Sequence, residues 1–131
     1  MTGPDPVQAE IAEWLAKAEG DLRVAAREAV ITNNANPDAV AFHCQQAIEK
    51  LMKAALVARS ITPPKVHDLP ELLRRLNAAG VDWDWPLTEL RTLTMAAVHA
   101  RYPGYQISTS ESAQLVAMAN AIWDSLLPLV R

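Results

Sequence analysis

Apolar residues recur every three or four positions through most of the chain, the period of an α-helix with one buried face. Val7, Ile11, Trp14, Leu15, Ala18, Leu22, Ala25, Ala26 and Ala29 form the first such stripe. It opens at Asp5-Pro6, an N-cap residue followed by a proline whose missing N–H costs nothing in the first turn, and it runs to about Ile31. A polar break from Asn33 to Asn36 follows. Asn36-Pro37 then repeats the cap-and-proline pairing, which predicts a second helix and a helical hairpin.

In that second helix Cys44, Ala47, Ile48, Leu51, Met52, Ala55 and Leu56 keep the helical spacing without a gap and mark the core face. At 100° per residue His43, Gln46, Lys50 and Lys53 lie within about 80° of one another on another side. This polar and basic stripe is a candidate nucleotide or phosphate site; solvent exposure is the alternative, above all for Lys53. Pro63-Pro64 ends the helix. Asp68 and Glu71 have the spacing of a capping box, Leu69, Leu72, Leu73 and Leu76 give a third helix its buried side, and Gly80 suits its left-handed end, with Arg74 and Arg75 outside. Trp83 and Trp85 bring apolar area that folds onto the bundle or joins a neighbouring subunit.

A fourth helix is predicted from Leu87 to about Tyr102, stopped by Pro103-Gly104. Ser108 and Glu111 form another capping box, leading into Leu115, Met118, Ala119, Ile122, Leu126 and Leu129 as a final amphipathic helix. No alternating β-branched run is long enough for a strand. The expected fold is all-α, an antiparallel up-and-down bundle of four to five helices, in a single domain over residues 1–131.

Composition narrows the function. Of the 131 residues 50% are apolar and 21% charged, a globular balance that argues against disorder. No apolar run approaches the ~20 residues of a membrane span, and Met1 to Pro6 lacks signal-peptide character, so a cytoplasmic protein is expected. The single Cys44 excludes an internal disulfide and a cysteine-cluster metal site, and with only three separated histidines no metal or cofactor is expected. A net charge of −3 does not suit a general nucleic-acid coat protein. The charge is uneven, however: acids outnumber bases eight to three over residues 1–49, whereas bases outnumber acids eight to five over residues 50–101. A phosphate-bearing ligand prefers that middle stretch.

Four scattered glycines allow no glycine-rich phosphate loop, and neither a metal-binding histidine pair nor a nucleophile elbow is present. What remains is Arg91, His99, Arg101 and Tyr102 on or near the end of the fourth helix. Metal-free RNA cleavage needs a base for the 2′ proton, a cation for the phosphate and a donor for the leaving oxygen, roles that histidine and arginine fill. Arg91 and His99 are separated by about 80° around the helix and ~12 Å along it, so one phosphate does not easily meet both within one chain. A symmetric dimer offers a composite pocket instead. The alternative is that His99 and Arg101 simply complement the helix dipole.

These residues resemble the HEPN family of small prokaryotic helical proteins. The likeness rests on Trp14-Leu-Ala-Lys-Ala-Glu-Gly-Asp21-Leu22, on Phe42-His43-Cys44-Gln45-Gln46-Ala47-Ile48-Glu49-Lys50-Leu51-Met52-Lys53-Ala54, on Pro64-Lys65-Val66-His67-Asp68-Leu69, and on Ala100-Arg101-Tyr102-Pro103. It implies a helical bundle, a homodimer, and pairing with an MNT-type nucleotidyltransferase in toxin and antitoxin systems. Nucleotide binding or metal-independent ribonuclease activity is implied as well, the latter through an Arg and a His with four to six residues between them. Here Arg91 and His99 enclose seven residues, a departure from that pattern. Tyr102 loosely resembles a tyrosine that the partner transferase adenylylates in some members. The expected catalytic set is therefore His99, Arg101, Arg91 and Tyr102. A non-catalytic nucleotide-binding or interaction module that dimerises and docks such a transferase is the competing expectation.

Overall fold

The computed structural model describes Gly3 and residues 5–131; Met1, Thr2 and Pro4, part of the segment read above for signal character, lie outside them. Five α-helices pack into one bundle: α1 (Pro6–Ala29), α2 (Pro37–Val57), α3 (Leu69–Ala78), α4 (Leu87–His99) and α5 (Thr109–Leu126). No strand occurs among the described residues. No helix among them is long and apolar enough to cross a membrane.

The helix starts follow from the caps. Asp5 accepts from the Val7 N–H at 2.9 Å, Asn36 from Ala39 at 3.1 Å and Asp68 from Glu71 at 3.1 Å, and each cap is followed within two residues by proline. Before α5 the capping box is complete, with Ser108 Oγ accepting from the Glu111 N–H and Glu111 accepting from the Ser108 N–H. At α3 only half of the expected box forms. The Glu71 carboxylate accepts instead from Arg74 and Arg75, and those guanidinium groups hold its pKa down to about 2.

Three helix ends fall short of the sequence reading. α1 stops at Ala29 rather than Ile31, with Val30 and Ile31 exposed. α4 stops at His99 rather than Tyr102, because the residue before Pro103 is pushed out of the helical region and the chain closes with tighter turns, Arg101 N–H to Val98 O and Tyr102 N–H to His99 O. α5 stops at Leu126, since Pro128 has no N–H to continue the ladder, and Leu127–Leu129 form a single 3-10 turn.

The central element is α2, which packs against each of the other four helices. Contacts with α1 run from Trp14 to Lys53, through Asp21 to Lys50 and His43, to Glu28 against Asn36, so numbers fall on α2 as they rise on α1 and the pair is antiparallel. A helix surrounded on all sides buries more than one stripe, and Leu51 to Val57 are buried without interruption. Trp83 joins the core and donates its indole N–H to Ser125 on α5 at 2.9 Å, while stacking on Trp85 at 6.0 Å between ring centroids.

Candidate functional site: the groove between α4 and α5

α4 and α5 are consecutive, and each packs on α2 far more closely than on the other. The space left between them is a groove of about 430 Å³. Arg91, Met95 and His99, one helical turn apart from each other, line its α4 side together with Thr92 and Ala96. Glu111, Gln114, Leu115 and Met118 line the α5 side, and Tyr105 and Ile107 close one end. The volume lies within the range of small-ligand sites.

Arg91 and His99 therefore share one groove despite the seven residues between them. Their separation of ~12 Å along the helix suits a ligand longer than one phosphate. The imidazole of His99 stacks on the Tyr105 ring, 3.5 Å between centroids and 13° between planes. The turn makes this possible. Gly104 adopts φ +94°, a left-handed conformation that glycine takes without strain, and the chain reverses at Pro103-Gly104 to lay Tyr105 back over the end of α4.

Arg101 and Tyr102 lie outside this groove. The Arg101 guanidinium sits 5.4 Å from the centre of the Phe42 ring on α2, and Tyr102 is 63% exposed. The aromatic residue against His99 is thus Tyr105, which the sequence reading did not select. The Pro-Gly turn followed at once by an aromatic residue was the available signal.

The stripe on α2 is engaged by carboxylates and amides. His43 Nδ1 lies 2.8 Å and Lys50 Nζ 2.6 Å from the two oxygens of Asp21 on α1. Gln46 donates to Gln45 Oε1. Lys53, for which solvent exposure was the alternative expectation, is buried and lies 3.1 Å from Glu49 Oε2, because α2 is central and this part of its surface is covered. The Cys44 thiol is buried in the core, which pushes its pKa up to about 12.

The sequence pattern of the HEPN domain matches residues 11–127, a span that takes in most of α1 and all of α2 to α5. The chain belongs to the HEPN family. Membership in the HEPN family places its function, in general terms, among nucleotide- and RNA-related roles. No curated protein matches the chain, and no solved structure does.

Proposed function

We propose that this HEPN protein is a metal-independent ribonuclease that binds RNA in the α4–α5 groove and acts as a homodimer. The observation that carries the reading is the sharing of one groove by Arg91 and His99, with His99 held against Tyr105. Arg91 grips phosphate, His99 exchanges the proton, and the exposed Tyr105 edge offers a surface for a base. The reaction is transesterification: His99 takes the 2′ proton, the 2′ oxygen attacks phosphorus, and the bond to the 5′ oxygen breaks. The proton for that leaving oxygen comes from the protonated His99 of the second copy. The products are a 2′,3′-cyclic phosphate and a 5′ hydroxyl. Arg91, ~12 Å along α4 from His99, holds a neighbouring phosphate of the same strand and so positions the scissile one. In this reading Arg101, held over Phe42, adds positive charge at the rim for incoming RNA, and the α2 residues His43, Gln46, Lys50 and Lys53 are secondary.

Support for the dimer comes from α4. Leu87, Met95 and Val98 are exposed and fall within about 80° of arc on α4, an apolar stripe on one side of a single helix. A two-fold axis through that stripe covers it and draws the two copies of His99 together.

The same exposed stripe, with the exposed Tyr102 in the turn that follows α4, favours a second reading: a non-catalytic module that docks an MNT-type nucleotidyltransferase in a toxin and antitoxin pair, Tyr102 being the group modified. Incubation of mixed RNA with the purified chain in EDTA separates the two. The ribonuclease reading predicts fragments ending in cyclic phosphate, absent with His99→Ala and Arg91→Ala at equal dimer content. Intact RNA with a folded wild-type dimer overturns it in favour of the docking module.

A further inference from the structure

The two walls of the α4–α5 groove carry different chemistry. On the α4 wall the charged and protonatable groups are Arg91 and His99, which suit a phosphate backbone. The α5 wall presents no cation: its lining residues are Glu111, Gln114, Leu115 and Met118. A carboxylate repels phosphate oxygens and accepts from N–H groups. A strand in the groove therefore sets its backbone against α4 and its bases against α5.

The hydrogen-bonding capacity left open on the α5 wall is specific. Glu111 Oε1 accepts from the Ser108 N–H at 3.3 Å, so the capping box fixes the carboxylate in the first turn of α5 and leaves Oε2 open. Gln114, three residues on and therefore on the same face, is exposed and forms no side-chain hydrogen bond with another described residue. Both halves of its amide are open, and its Nε2 is the one side-chain donor of that wall. Thr92 of α4 already donates its hydroxyl to Thr88 O at 2.8 Å and offers the groove only lone pairs. Leu115 and Met118 add apolar and thioether contact for the face of a ring.

This set, rich in acceptors with a single amide donor, discriminates among bases. Guanine alone carries two adjacent donors, N1–H and the N2 amine, beside one acceptor, O6, on its pairing edge. The two donors match the Glu111 carboxylate and O6 matches the Gln114 amide. Uracil places one donor between two acceptors, and the carboxylate repels the acceptors. Adenine and cytosine each offer a single donor group.

We propose that Glu111 and Gln114 form a base-reading edge that selects guanine in single-stranded RNA, where the pairing edge is free to be read. The proposal rests on the groove being the RNA site and adds to it the residues that choose the sequence. Neither residue moves a proton in the cleavage.

The test uses short labelled RNAs methylated at every 2′ oxygen, which cannot be cut because no 2′ hydroxyl is left to attack. Each is a uracil strand with guanine, inosine, adenine or uracil at its centre, and binding to the purified full-length chain in EDTA is read by fluorescence anisotropy. The guanine strand is expected to bind at least tenfold more tightly than the uracil strand, with inosine, which lacks the N2 amine, in between. Gln114→Leu and Glu111→Gln each reduce that ratio to about threefold or less. Both positions are exposed, and glutamine at 111 keeps the capping acceptor, so the helices persist, which circular dichroism checks. Equal affinity of the wild type for the four strands, or a preference that survives in both variants, would overturn the proposal. Unmodified strands run alongside separate it from the ribonuclease reading. Cuts with equal affinities overturn the base-reading edge alone, whereas guanine preference without cuts upholds the edge and overturns the ribonuclease.

Discussion

The ring of His99, the last residue of α4, lies flat against that of Tyr105, six positions on in the chain and across the Pro103-Gly104 turn. Stacking of this kind restricts the imidazole to one plane at the mouth of the groove and leaves its ring nitrogens at the edge, where a proton can be exchanged. A catalytic group held in one orientation loses less freedom on reaching the transition state. Tyr105 is therefore the tyrosine that orients His99, and Tyr102 of the expected catalytic set lies outside the groove.

Tyr105→Ala accordingly lowers RNA cleavage by about tenfold, roughly 1.4 kcal/mol of transition-state stabilisation, whereas Tyr105→Phe keeps most of it. Tyr102→Ala leaves cleavage unchanged in a preparation matched for dimer content. Steady-state kinetics on a short fluorescent RNA separate the three. The stability cost of Tyr105→Ala stays near 1 kcal/mol, the scale of a single aromatic pair.

The turn itself is a second point of control. A Cβ built on Gly104 meets nothing within 4 Å, so the penalty of Gly104→Ala is backbone strain at φ +94° rather than a clash. That strain amounts to about 1–2 kcal/mol. The expected outcome is a lower Tm in calorimetry together with a loss of cleavage like that of Tyr105→Ala, because the ring no longer reaches His99.

On α2, Glu49 and Lys53 are both more than nine-tenths buried. Removing one member of such a pair leaves the other charge in a poorly solvated place, at a cost of about 3–5 kcal/mol. Glu49→Ala is thus strongly destabilising in urea unfolding. The double variant Glu49→Leu with Lys53→Met costs much less, since no unpaired charge remains, and a double-mutant cycle reads the difference.

Cys44 reports on the core. Its thiol, pushed up to about 12 by burial, carries almost no thiolate at pH 8, so a thiol reagent modifies the folded chain only at the rate of opening and the urea-unfolded chain at once. The sign for stability follows. A group whose folded pKa is raised contributes fully below its unfolded value, 9.0, and that contribution falls as pH rises from there to about 12. Cys44→Ala flattens this alkaline limb of the unfolding profile.

Much of the fold is legible in the chain because its signals are local. Asp5-Pro6, Asn36-Pro37, Asp68 and the Ser108–Glu111 box each act within one turn, and each marks a helix start that the structure has. Membership in the HEPN family was legible too, from short strings spread over most of the chain. The ends were less so, since Pro103 and Pro128 act backwards on residues that otherwise look helical. The angular reading of α2 put His43, Gln46, Lys50 and Lys53 on one side, but a helical wheel does not say which groups engage them. Asp21 of α1 engages His43 and Lys50, whereas Lys53 pairs with Glu49 on α2 itself. Tyr105 was hidden for the same reason, as its contact with His99 exists only once the turn has closed.

The central claim is that RNA occupies the α4–α5 groove. Fluorescence anisotropy of a short labelled RNA, titrated in EDTA at fixed salt with the wild type and with Arg91→Glu, addresses it most directly. Arg91 is an exposed groove residue, so the reversal of charge leaves the core untouched. The expected result is binding that weakens at least tenfold in Arg91→Glu. Equal affinity for the two proteins, both folded and of the same mass in solution, would contradict it.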